Sequence, residues 1–165
     1  MKTLGQPNSI WAGDRGEPDE RVRAALAGAD GSTSADDYLA AVAALCTARL
    51  LMPVVADGDE SGPGPDPHRH AELAAVLITS AAGASGALAF TGLDALLAFD
   101  PQARPVPCTL DAAAATAVEA GAGALVVDVA GPNLLAIESE LLAELASGRR
   151  LVRVDDGWGW LSVAR

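Results

Sequence analysis

Basic side chains are scarce in this chain. One lysine, Lys2, and ten arginines stand against 22 acidic residues, which leaves a net charge of −11 over 165 residues and a pI near 4.4. A surface of that sign repels phosphate backbones and anionic headgroups, so neither nucleic acid nor a membrane is expected as a partner. Aromatic residues make up only 4% of the chain, and three of them are tryptophans, Trp11, Trp158 and Trp160. No apolar run approaches the roughly 18 residues that a membrane span needs. The segment MKTLGQPNSIWAGDRG has no apolar stretch of the kind that a secretory leader carries, so a cytoplasmic location is expected. Cysteine occurs twice. Cys46 lies on an apolar helical face and Cys108 closes an apolar extended run, and each reads as a buried free thiol.

Reactive patterns are equally sparse. There is no phosphate-binding loop and no nucleophile elbow. Gly83–Gly86 lies between two strands, and Gly121–Ala124 follows a helix and precedes a strand. Neither order presents a helix N-terminus to a phosphate. The two histidines, His68 and His70, stand beside Asp66 in a Pro/Gly/acid-rich stretch that offers no rigid support for a metal. The acid pairs Asp36–Asp37 and Asp155–Asp156 fall in a helix first turn and a hairpin turn, and each is explained locally. No catalytic, cofactor-binding or metal-binding residue is therefore assigned, and no cofactor is expected.

What the chain does have is apolar mass: half of its residues are hydrophobic and about a fifth are alanine. That suffices for one domain with a real core. Residues 1–17 read as an irregular arm that Trp11 could pin, and residues 18–165 as a single domain. Within it, 57–70 reads as a flexible loop. Helices are expected after Pro18, after Ser34, after Thr91, over 111–120 and from Ser139. Thr91 and Asp94 have capping-box spacing, which casts Thr91 as the cap of its helix. Strands are expected in RLLMPVVA, over 72–79 and 87–91, in PVPC, ALVVDV and LLAIE, and in a terminal hairpin around Asp156-Gly157. Pro53 in the first of these implies a bulge or an edge. Gly83 and Gly86 are expected to supply left-handed turn positions. The sum is an α/β (α+β) domain with a mixed sheet of about five to seven strands and helices packed on it.

WAGDRG at 11–16, RLLMPVVA at 49–56 and ELAAVLITSAAGASGALAFTGLDALLAF at 72–99 occur in this order, followed by PQARPVP at 101–107 and GALVVDVAGP at 123–132. Together they resemble the N-terminal domain of the SseB family, named after enhanced serine sensitivity, in its actinobacterial form. The resemblance implies a small α/β domain and brings no catalytic residue with it. Two regions depart from the family pattern. HRHAEL stands where a Lys/Ser/Met pattern is common, and the hairpin ending in Trp160 has no counterpart.

Two functional readings follow. The favoured one is a non-enzymatic binding or accessory module acting through protein contacts, with a homodimer as one form of such contact. Trp158 and Trp160 alternate across Gly159, so both project to one face of the last strand, either into the core or toward a partner. The alternative is a small-molecule binder or enzyme with a pocket near the 72–91 hairpin and Thr91. One expectation concerns the loop. Replacing Gly58–Arg69 with a short Gly/Ser linker should cost less than about 1 kcal/mol in a urea titration, because loop-closure entropy changes slowly with length.

Overall fold

The computed structural model describes residues 9–55 and 74–162. The 57–70 loop and both histidines lie outside the described residues. A 3-10 turn at Ser9–Trp11 leads into α1 (Glu20–Ala29) and α2 (Ala35–Leu45). The side chains of Asp19 and Ser34 accept hydrogen bonds from Arg21 N and Asp37 N and cap these helices, which is why both start where polar residues meet apolar periodicity.

The strands form three small sheets. In the first, β1 (Leu50–Val55) is flanked by β2 (Ala74–Ala75) and β5 (Arg104–Cys108). The second has the order β3 (Leu77–Thr79), β4 (Ser85–Ala89), β6 (Ala124–Val127), β7 (Leu135–Glu138), in which β4 and β6 are parallel. The third is the hairpin of β8 (Arg150–Val154) and β9 (Gly157–Leu161). Leu51 exchanges both backbone hydrogen bonds with Phe90, each 2.8 Å long, and so stitches the first two sheets into one continuous surface. The expected strand over 72–79 is divided accordingly. Its start pairs with β1, and its end pairs with β4.

Proline placement follows from that stitch. Leu51 turns its backbone to Phe90, so its pairing with Pro107 is of the non-hydrogen-bonded type. Pro53 and Pro105, two residues along, face each other in the same way. Pro53 thus sits in a central strand without a bulge, and Pro105 and Pro107 turn their N-less side outward along the edge strand β5.

The apolar runs are buried on both faces, as period-two alternation requires. Leu50, Met52, Ala87, Ala89, Leu125 and Val127 meet α1, α2, α4 (Leu110–Glu119) and α5 (Ser139–Ala146). Leu51, Leu88, Phe90, Ala124 and Val126 meet α3 (Leu93–Phe99) on the other side, where Phe90 and Phe99 lie with ring centroids 5.6 Å apart.

Glycines serve different ends. Gly83 takes a left-handed turn conformation, φ +88°. Gly86 does not; it lies in β4, where a Cβ would come within 2.8 Å of Val126 Cγ2, so its role is close packing. The hairpin turn is Asp155-Asp156, with Asp155 at φ +41° and Gly157 already in β9, one residue earlier than expected.

Ala113, Ala114 and Ala117 of α4 are fully buried, and their small size lets this helix approach the sheet closely. Ala117→Leu should therefore cost about 1–3 kcal/mol through overpacking. Ala112→Leu on the exposed face should stay within about 0.5 kcal/mol of the parent. Paired urea titrations read both.

Candidate functional site

Parallel strands β4 and β6 end side by side, with Ala89 opposite Val127. The residues that leave them are the two buried polar side chains among the described residues, Thr91 and Asp128. Asp128 takes a left-handed backbone, φ +52°, and donates its N–H to Ala89 O at 3.0 Å. Its carboxylate accepts the Thr91 N–H on Oδ1 at 2.8 Å and the Thr91 hydroxyl on Oδ2 at 2.6 Å.

Two arginines converge on Thr91 from elsewhere in the chain. Arg23 of α1 donates Nε–H to Thr91 Oγ1 at 2.9 Å and forks onto both carboxylate oxygens of Asp94 at 2.7 and 2.6 Å. Arg49, just before β1, donates to Thr91 O at 3.2 Å, to Asp14 Oδ2 at 2.6 Å and to Glu17 O at 2.6 Å. Leu93 N–H meets Gly16 O at 2.7 Å. The N-terminal arm is thus held by Asp14, Gly16 and Glu17. A Cβ at Gly92 would sit 2.7 Å from Asp94 Oδ1 and 3.0 Å from Arg23 Nη2, so a side chain there would have to displace the Arg23–Asp94 pair.

Thr91 is therefore not a helix cap. Gly92 occupies the cap position of α3 without a side-chain bond, and the Thr91 hydroxyl is committed to Asp128. The spacing to Asp94 has another cause: Asp94 holds Arg23.

Burial pushes the Asp128 carboxyl above its ordinary value, and the two Thr91 hydrogen bonds and Arg23 oppose that rise. Arg23 holds the Asp94 carboxyl below its usual range. At Asp14 burial pushes upward, but the Gly16 N–H and Arg49 together overcome it and lower the pKa. No buried side-chain nitrogen or oxygen among the described residues lacks a partner. The ends of parallel strands are where open α/β sheets bind ligands. Here the chain's own side chains fill that place and satisfy one another.

The thiols are held in their neutral form. Burial raises the Cys46 pKa and lifts that of Cys108 to about 12, and both cysteines are free. Among the described residues no group of three His, Cys, Asp or Glu side chains gathers as metal ligands.

A groove of about 670 Å³ lies between α2, α5 and the hairpin. Leu39 of α2, Glu140, Leu141, Ala143 and Glu144 of α5, and Leu151, Trp158 and Trp160 of the hairpin line it. Both tryptophans are half-buried: they pack against the main core and also border the groove. Asp36 fixes Trp158 by accepting its indole N–H at 2.9 Å and pairing with Arg153 at 3.0 Å. Arg153 in turn stacks over the Trp158 ring at 4.2 Å. Asp36 does more than favour the first turn of α2, and its hairpin partners, 117 and 122 residues away, leave no trace in local sequence.

A second hollow of about 490 Å³ lies beside β1 and Val76, with Asp100, Gln102 and Arg104 as its polar groups. Thr91 does not line it. Asp100 Oδ1 is already taken by the Gln102 N–H at 2.9 Å.

These features define a mixed α+β domain whose parallel-strand ends are sealed from within. The family model for the SseB protein N-terminal domain matches residues 22–144, well over half of the chain. The chain belongs to the SseB family. Neither the curated proteins nor the solved structures provide a match. The matched span holds Arg23, Arg49, Thr91, Asp94 and Asp128, whereas the hairpin with Trp158 and Trp160 follows it.

Thr91→Val tests the buried network. It preserves shape but strips Asp128 Oδ2 and Arg23 Nε of their partner, and should cost about 1–3 kcal/mol at neutral pH. The sign of the pH dependence follows from the raised pKa. Relative to the unfolded chain the fold favours the protonated form of Asp128, so its contribution is full below the ordinary value of 3.8 and is lost as pH rises through the folded value. Losing the hydroxyl raises that value further. The deficit of the variant should therefore be smallest in acid and grow toward neutrality, as followed by thermal melts across that range. Ion pairs of Asp14 and Asp94 behave oppositely, weakening as pH falls, in the parent and the variant alike.

Proposed function

We propose that this SseB-family chain is a non-enzymatic binding or accessory module that acts through protein contacts, with the β8–β9 hairpin and Trp158 and Trp160 as its contact surface. The observation that carries this reading is the groove those tryptophans border. It is open, predominantly apolar, held in shape by Asp36 and Arg153, and next to a strand whose outer edge has no neighbour among the described residues. Half-buried tryptophans anchored on one side and free on the other are the residue type that dominates protein contacts. The Arg-over-Lys bias and high alanine content support an actinobacterial member. The acidic charge supports a partner other than nucleic acid or a membrane, and among the described residues no helix is long and apolar enough to cross one. A cytoplasmic setting fits the two free thiols.

The second reading, a small-molecule binder or enzyme, is favoured by the hollow beside β1 and Val76. Ligand-induced protection of Val76 and Phe99 from hydrogen exchange would support it.

Partner capture from the native host with the wild type and with Trp160→Ala separates the readings. Trp160→Ala should keep the melting transition cooperative and lose most of the captured protein. Unchanged capture by a folded variant would remove the hairpin from the contact surface. Light scattering then distinguishes a second copy of the chain from a different protein.

A further inference from the structure

The chemistry of the groove says more about its occupant than that it is a protein. The charged side chains that line it are both acidic, Glu140 and Glu144, four residues apart on one side of α5. Glu144 is already paired with Arg149 at 2.7 Å, whereas Glu140 makes no ion pair among the described residues and is exposed. Beside these acids lie Leu141, Leu151 and the indole of Trp160. Trp158 shows how an indole is used on this surface, with the Arg153 guanidinium over its ring. An apolar trough with an acidic wall and an aromatic face complements a segment that is apolar on one side and basic along its flank. The net charge of −11 adds attraction of the same sign over longer range.

We infer that the groove between α5 and the hairpin docks an amphipathic helix bearing Lys or Arg, with apolar anchors against Leu141 and Trp160 and a cation on Glu140. This rests on the protein-contact reading and names the chemistry of its partner. An amphipathic helix laid into a groove uses anchors spaced one turn apart, and Glu140 and Glu144 are spaced one turn apart on the facing helix.

The test uses the full chain and two synthetic helical peptides, one of Leu and Lys and one of Leu and Glu in the same pattern. Tryptophan fluorescence is read at physiological ionic strength. The Leu/Lys peptide should bind saturably and shift the emission, and the Leu/Glu peptide should not. Glu140→Lys should weaken binding by about tenfold or more, and Trp160→Ala likewise. Glu119→Lys makes the same change of charge at an exposed site outside the groove and should leave affinity within about twofold. If Glu119→Lys and Glu140→Lys weaken binding equally, the attraction is diffuse and the inference is overturned. Equal binding of both peptides, or failure of the Leu/Lys peptide while Trp160 still governs capture of a host partner, overturns the basic-helix chemistry and leaves the protein-contact reading standing. Loss of both fails both. Concentration-dependent dimerisation that occupies the groove would assign it to a second copy instead.

Discussion

A carboxylate with no exposed surface must be answered atom by atom, and Asp128 is such a group. Everything near it is arranged to do so. Thr91 supplies two donors, and Thr91 is in turn held by Arg23 at its hydroxyl and by Arg49 at its carbonyl. Those arginines come from α1 and from the approach to β1, and they carry Asp94 and the N-terminal arm with them. One buried carboxyl group thus sets the relative placement of two parallel strands, two helices and a peptide arm. Removing one partner of such a network costs far more than the net gain of any single bond in it, because the others stay buried without an answer.

The same closure bears on what the domain is for. The ends of β4 and β6 are the natural place for a ligand in a sheet of this kind, yet they are occupied by internal hydrogen bonds. The open groove lies instead between α5 and the hairpin, with its α5 wall inside the span that the family model matches and its tryptophans beyond it. The buried polar centre and the groove are thereby separate parts, built from different residues.

Helices α1, α2, α4 and α5 and strands β6 and β7 were legible in the sequence, because apolar period and capping residues mark them within a few residues. Thr91 was misleading for a physical reason. A threonine three residues before an aspartate looks like a capping box wherever it occurs, and the partner that decides the matter, Arg23, pairs with Asp94 from 71 residues away. Asp128 did leave a signal, an acid closing an otherwise apolar run, ALVVDV, where a charge must find partners or force the strand to end. The division of the 72–79 segment left none, since either sheet would accept the same apolar residues. For the tryptophans, packing and exposure are not alternatives, because each side chain has a share of both.

The prolines of β5 have a consequence for life at high concentration. Its outer side offers carbonyls at Pro105 and Pro107 but no N–H at either position. An incoming strand would meet acceptors without donors, so a ladder cannot be seeded there. Along β7, on the far side of the second sheet, the Tyr38 hydroxyl already occupies Ala136 O at 2.6 Å. Open-ended stacking of copies into fibres is obstructed on both of these flanks, and a single proline replacement on β5 would restore a donor to the first of them.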